Sequence, residues 1–366
     1  MRAQAALVET TGGPFTLRDV DIVGPGADEI LVRITAAGIC HTDLAMRRRW
    51  PAARLPMVFG HEGAGVVEAV GASVTTVAPG DQVCLSFRSC GECVQCRAGQ
   101  PAYCRLSDLN TRGVSSTLRR GGAPVFGGFF GQSSFATHAI TYPGNTVKIP
   151  ADFPATLAAP LGCGVQTGAG TVLNVLDPAP GETIVIFGAG GVGLSALLAG
   201  LLRDCRVIVV EPRPARRDLA VALGAAEALD PAADLPARVL KAHHAIDTTG
   251  RPETISQAID VLRRRGTLAL VGIGGTANVD IMTVLAGGIS IRGVIEGDAD
   301  PAVFLPYLID LHRQGRFPLE RLITTYPFAE IERAAQDALT GKTVKPVLTF
   351  QDQDLSPVRP RPAPSN

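Results

Sequence analysis

One stretch limits the fold more than any other. Thr183 to Phe187 is an apolar run of strand length; it leads into Gly188-Ala189-Gly190-Gly191-Val192-Gly193, and Gly193 to Leu202 then reads as a helix. G-x-G-x-x-G between a strand and a helix lets the backbone turn tightly and aims the helix N-terminus at a pyrophosphate. The motif alone is weak, but Arg206 to Val210 follows as a second strand and ends at Glu211, an acid placed to accept both ribose hydroxyls of NAD. Arg213 to Leu223 is predicted as a second helix that stops at Gly224. Ala245-Ile246-Asp247, Leu268 to Val271 and Ile289-Ser290-Ile291 add short strands, with a helix expected from Pro252 to Arg264. This alternation predicts an α/β fold with a doubly wound parallel sheet. Glu211 would repel a 2′-phosphate, so NAD is expected over NADP, although Arg213, Arg216 and Arg217 lie where arginines can accommodate that phosphate.

Upstream of Thr167 the texture differs. Runs such as Ile30-Leu31-Val32-Arg33-Ile34 and Gly65-Val66-Val67-Glu68-Ala69-Val70, each bounded by turn residues, predict a mostly antiparallel β domain. Two domains suit 366 residues. After Val294 the chain reads as helical and then as a last strand, Lys345-Pro346-Val347-Leu348-Thr349-Phe350, which would rejoin the first domain. The tail 351–366 holds four prolines and is expected to be disordered. A formal charge of zero gives no reason to expect a nucleic-acid or membrane-surface partner. Apolar runs stop short of the ~20 residues a membrane span needs, and the N-terminus lacks a secretory pattern, so the expected location is cytoplasmic.

The eight cysteines divide unevenly. Cys90, Cys93, Cys96 and Cys104 follow C-x2-C-x2-C-x7-C, a spacing that lets four thiolates wrap one zinc ion at roughly 2.3 Å. Such a set leaves no open coordination position, which marks a structural site. A redox CxxC would not explain the third and fourth cysteines, and the interval is not a common ferredoxin pattern. Cys40, His61 and Cys163 are far apart, each in a glycine-rich setting. Spacing alone leaves them open between a joint metal site and ordinary core residues.

Gly60-His61-Glu62, with Gly65, Gly71 and Val74, reproduces G-H-E-x2-G-x5-G-x2-V, and Gly38-Ile39-Cys40-His41-Thr42-Asp43 precedes it. Together with the four-cysteine segment, these motifs resemble the zinc-containing medium-chain alcohol dehydrogenases, over a span from the N-terminus to about Phe350. The resemblance implies a GroES-like β-rich catalytic domain over 1–164 and 296–350, and a Rossmann NAD-binding domain over 165–295. It implies Cys40, His61 and Cys163 as catalytic zinc ligands, with Glu62 behind the ion and able to coordinate it transiently, and hence two zinc ions per subunit. Thr42 would accept the alcohol proton, and Asp43 would fix the His61 tautomer. His41, Thr167, Arg216, Arg251, Gly272, Ile273, Ile295 and Lys345 would contact the cofactor beside the Gly188–Gly193 loop: His41 and Lys345 at the pyrophosphate, Arg216 at the adenosine ribose, and Gly250-Arg251, Gly272-Ile273 and Ile295 on the nicotinamide side. One position departs from the family's best-known members, which carry a histidine three residues after the relay hydroxyl; here it is Ala45.

Trp50, Phe87, Phe129 and Phe130 are the aromatic candidates for the substrate pocket, while Phe135 reads as core. The stretches Phe130 to Ala136 and Leu161 to Gly170 are similar to aryl-alcohol (benzyl-alcohol) dehydrogenases, so the expected substrate is a small-molecule aryl or allylic terpene primary alcohol, oxidised reversibly to the aldehyde. Two other readings use the same scaffold: a thiol-adduct (formaldehyde-type) dehydrogenase and a non-catalytic cofactor-binding relative. The expected assembly is a homodimer, with a homotetramer as the alternative.

Overall fold

The computed structural model describes residues 1–111, 114–239 and 241–351, so the expected disordered tail falls outside the described residues after Gln351. The chain divides into two compact units. One comprises Met1–Cys163, Pro301–Ile309 and the chain from Leu319 onward; the other comprises Gly164–Asp300 and Asp310–Pro318.

In the first unit, Arg2–Val8, Thr16–Ile22, Val114–Arg120, Ala123–Gly127 and Met57–Val58 close into a barrel. A further sheet runs in the order Thr146–Lys148, Gln82–Leu85, Glu62–Val70, Ile30–Gly38, Lys345–Thr349, Ile323–Pro327, with His138–Thr141 also paired to Ile30–Gly38. The final strand therefore does join this unit, antiparallel to Ile30–Gly38 with Val347 opposite Gly38. The core is apolar and aromatic. Trp50, Phe59 and Phe129 pack edge to face at centroid separations of 5.1–5.8 Å, a geometry that adds about 0.5–1.5 kcal/mol per pair beyond burial.

The register of this sheet assembles the site. Gly38 pairs with Glu62, so Cys40 and His61 leave the same end of two neighbouring strands. Lys345 opens the strand on the other side. Close approach depends on missing side chains. A Cβ on Gly38 would stand 2.1 Å from Glu62 Oε2, and one on Gly162 would stand 1.9 Å from the Leu85 carbonyl oxygen, which seats the turn carrying Cys163 against the sheet.

The second unit contains a six-stranded parallel sheet in the order Glu227–Leu229, Arg206–Val210, Thr183–Phe187, Ala242–Asp247, Leu262–Leu270, Ser290–Gly293. The expected doubly wound order is present, with local differences. The helix after the glycine loop spans Gly191–Leu202, two residues earlier than expected. The helix begun at Pro252 stops at Asp260, and Leu262 to Arg264 belong to the next strand. Tertiary pairing overrides helical pattern there: the Ala242 amide donates to the Val261 carbonyl, and Leu262 pairs with Ala242 across a bulge. Among the described residues no helix is long and apolar enough to cross a membrane.

Candidate active site and cofactor loop

Cys40, His61, Glu62 and Cys163 converge, each offering a ligand atom within 4.8 Å of the others. Asp43, fully buried, ties the convergence together. Its Oδ1 accepts from His61 Nδ1 at 2.9 Å and from the Gly60 amide at 3.1 Å, and its Oδ2 accepts from the Cys40 amide at 3.0 Å. One carboxylate on the helix His41–Arg49 thus fixes both ligand-bearing segments. Gly60 takes φ +95°, and a Cβ there would lie 2.5 Å from the Phe135 amide nitrogen.

With Nδ1 donating to Asp43, His61 presents Nε2 inward; that atom is buried with no hydrogen-bond partner, beside the Cys40 and Cys163 thiols. A buried ring nitrogen without a partner is costly, and a metal ion is the ligand that sulfur–nitrogen donor sets of this kind accept. The residues therefore fit zinc. The surrounding charges favour an anionic sulfur and a positive partner. The hydrogen bond from Cys163 leads the effects that hold the Cys40 thiol well below its usual range, against burial. Burial pulls the His61 pKa down, but Asp43 and Cys40 outweigh it and the net direction is upward.

Glu62 is buried and meets Lys345, whose Nζ donates to both carboxylate oxygens at 2.8 and 2.9 Å. Burial pushes the Glu62 carboxyl up to about 7 despite the lysine. Lys345, expected at the cofactor pyrophosphate, is thus seated on Glu62 with only 5% of its surface exposed. Gln132 was not singled out by sequence. Buried in the 129–135 turn, it accepts from the Gly63 amide at 3.0 Å and donates to the His61 and Ser86 carbonyls at 2.9 and 3.0 Å, bracing the histidine segment from behind. A lone glutamine in a turn carries no signal of such a role.

The aromatic candidates separate by burial. Phe130, half-buried, stacks on the His61 ring at 4.5 Å; Phe129 meets the same ring edge-on at 5.6 Å. Trp50, Phe87 and Phe129 are buried; Phe129 backs Phe130 from the core, and Trp50 packs on Phe129 in turn. Phe135 is core, as expected. Thr42 is half-buried and His41 exposed, both at the start of their helix.

Cys90, Cys93, Cys96 and Cys104 form the second cluster, also with mutual ligand distances within 4.8 Å. Backbone amides point at the sulfurs: Cys90 to Cys104, Cys93 to Cys90, Arg105 to Cys93 and Leu106 to Cys104, at 3.3–3.5 Å. Such bonds favour thiolates, and the Arg105 amide leads those that bring Cys93 down to about 6. Burial instead pushes Cys96 up to about 12, and its hydrogen bond with Cys93 adds to the rise.

In the second unit, Gly188 (φ +101°) turns the chain, and a Cβ on Gly193 would lie 1.9 Å from the Gly188 carbonyl oxygen, so helix and loop touch there. A Cβ on Gly190 would meet nothing within 4 Å, leaving space above the helix N-terminus near Gly191 and Val192. Glu211 is buried and accepts from the Ala189 and Arg213 amides at 2.9 and 3.0 Å, which locks the loop to the end of the second strand. Arg217 is occupied by the Glu211 and Pro212 carbonyls and Asp230, Arg216 is half-buried, and Arg213 is exposed. Gly272 sits against Gly250, where a Cβ would lie 2.2 Å from the Gly250 amide. Beside them Arg251 is exposed, as are Ile273 and Ile295 at 69% and 52%, apolar surface of the kind a nicotinamide ring can cover. Thr167 is buried. The loop fits a dinucleotide.

Residues 26–151 match the alcohol dehydrogenase GroES-like domain and residues 191–311 the zinc-binding dehydrogenase domain, which places the chain among zinc-dependent dehydrogenases. It is 46% identical to geraniol dehydrogenase of Castellaniella defragrans, over 95% of this chain and 98% of that one. The structure of benzyl alcohol dehydrogenase from Acinetobacter calcoaceticus superposes with a TM-score of 0.91 at 41% identity, covering 96% of this chain and 100% of the other. A short chain alcohol dehydrogenase from Escherichia coli CFT073, complexed with NADH, superposes with a TM-score of 0.80 at 25% identity, over 95% and 99%. The chain belongs to the zinc-containing medium-chain alcohol dehydrogenase family and is an NAD-dependent enzyme of it.

Proposed function

We propose that this enzyme oxidises an aryl or allylic primary alcohol reversibly to its aldehyde, with hydride passing to NAD, and that each subunit holds two zinc ions. The observation that carries the reading is the buried, partnerless Nε2 of His61 among the Cys40 and Cys163 thiols, beneath the Phe130 ring. Cys40, His61 and Cys163, with Glu62 behind them, would hold the catalytic zinc; Cys90, Cys93, Cys96 and Cys104 would hold the structural one. The catalytic ion supplies Lewis acidity that lowers the pKa of the alcohol.

The chain's own residues do the rest. Asp43 keeps His61 in the tautomer that leaves Nε2 free. Lys345 holds Glu62 in place through both carboxylate oxygens and offsets part of the burial that pushes its carboxyl up to about 7. Thr42 Oγ1 would accept a hydrogen bond from the alcohol while passing its own proton on, and because Ala45, one helical turn on, offers no base, that proton would leave to water. The Gly188–Gly193 loop takes the pyrophosphate, Glu211 and Arg216 the adenosine ribose, and Thr167, Arg251, Gly272, Ile273 and Ile295 the nicotinamide end, with His41 completing the set. The catalytic domain would comprise 1–164 and 296–350 and the cofactor domain 165–295, bounds from which the compact units depart at 164, 296–300 and 310–318.

Similarity to a geraniol and a benzyl alcohol dehydrogenase supports the substrate class, as does Phe130 over His61. The exposed edge strand Ser290–Gly293 suits pairing across a two-fold axis, and a homodimer is the assembly light scattering should find. A panel of benzyl alcohol, geraniol, ethanol and a hydroxymethyl-thiol adduct with NAD, accompanied by metal analysis, tests the whole. Equal kcat/KM for ethanol and benzyl alcohol, or preference for the thiol adduct, would overturn the substrate class; fewer than two zinc ions per chain would overturn the two-site reading.

A further inference from the structure

The turn after the edge strand carries a carboxylate that none of the roles above uses. Glu296 is buried at 8% exposure, and its Oε2 accepts from Gln166 Nε2 at 2.9 Å and from Thr167 Oγ1 at 3.3 Å. Both donors lie on the helix Gly164–Gly170, which begins directly after Cys163. Backbone follows side chain. A Cβ on Gly297 would stand 2.4 Å from the Gln166 carbonyl oxygen, one on Gly170 would stand 2.4 Å from the Gly297 carbonyl oxygen, and Asn174 Nδ2 donates to that same carbonyl at 3.0 Å. Turn and helix are fitted together with no side chain between their backbones. Glu296, Gly297 and Asp298 all have positive φ, at 51°, 68° and 51°. Two departures of this kind by residues with side chains, on either side of a glycine, persist only where the surroundings over-determine them.

The turn joins two residues of interest. Ile295, exposed, precedes Glu296, and Thr167 is held by it. We propose that Glu296 is a positioning residue for the nicotinamide end of the cofactor site. Its carboxylate fixes the Thr167 hydroxyl and pins the left-handed turn, so that Thr167 and Ile295 present one rigid surface to the ring. The proposal rests on the assignment of those two residues to the nicotinamide.

ADP-ribose carries the adenosine and pyrophosphate of the cofactor but no nicotinamide, which makes it the control. In the full-length enzyme, Glu296→Ala should weaken NADH binding, followed by fluorescence titration, about tenfold, the worth of one lost hydrogen bond to a charged group. ADP-ribose affinity, followed by calorimetry, should not change. Glu296→Gln, which keeps the shape and one acceptor oxygen, should recover much of the loss. If Glu296→Ala does not fold, Glu296→Asp, one methylene short of both donors, makes the same comparison. Equal weakening of NADH and ADP-ribose, or unaltered NADH binding, overturns the proposal. Thr167→Ala and Ile295→Ala separate it from its premise. If neither changes the ratio of the two affinities, the nicotinamide assignment fails; if they change it and the Glu296 variants do not, only the role of Glu296 fails.

Discussion

Replacing Asp43 by asparagine removes one charge and almost no volume from the centre of the site. Three hydrogen bonds end on this carboxylate: His61 Nδ1 and the Gly60 amide on Oδ1, and the Cys40 amide on Oδ2. Asparagine can keep the first two on its carbonyl oxygen but turns an N–H toward the Cys40 amide. One donor left unsatisfied costs about 1–3 kcal/mol, so the variant should fold, with its urea midpoint lowered accordingly. Asp43→Ala strands three donors, about 3–9 kcal/mol on the same scale. That is comparable with a whole domain's margin of about 5–15 kcal/mol, and this variant should fail to accumulate. The metal should feel Asp43→Asn separately, because losing a charged partner behind a histidine ligand weakens binding by about 10–100-fold. The assay is zinc retention against a graded chelator, read by elemental analysis. Zinc should fall from two per chain toward one at a chelator activity that leaves the wild type intact. Unchanged retention in a folded Asp43→Asn enzyme would refute the role given to this residue.

Three further outcomes can be checked. Phe130→Ala removes the ring stacked on His61 and should cut kcat/KM for benzyl alcohol up to about tenfold while leaving ethanol nearly unaffected; an equal loss on both substrates would count against a pocket role. Glu211→Gln keeps its shape and one amide acceptor but loses the charge that repels a 2′-phosphate, so the NAD-over-NADP ratio of kcat/KM should drop at least about tenfold. Cys96→Ala should remove one zinc per chain and lower the thermal midpoint, with NADH affinity retained; a full complement of zinc in that variant would argue against a four-thiolate site.

Local signals made much of this protein readable. The glycine loop with its flanking strand, helix and Glu211, and the tight cysteine spacing, are short-range patterns in which backbone conformation and ligand geometry depend on residues close in sequence. Boundaries were less legible: the helix from Pro252 ends at Asp260 because Leu262 is claimed by a strand partner distant in sequence. The same holds for the aromatic residues. Nothing local distinguishes Phe129 from Phe130, yet one is core and the other stacks half-buried on His61, because the chain turns left-handed at Phe130 with φ 52°.

By itself the sequence determined the two domain types, the four-thiolate cluster and the dinucleotide loop, whose chemistry is contiguous. The meeting of Cys40, His61 and Cys163 was decided only by tertiary structure. It depends on strand register at Gly38 and Glu62 and on glycines that let Leu85 and the Gly162 turn touch. Tertiary structure also seated Lys345 on Glu62, Gln132 behind His61 and Glu296 on Thr167. Each is a polar side chain whose partner lies far along the chain, and burial leaves it no other way to satisfy its charge or hydrogen bonds.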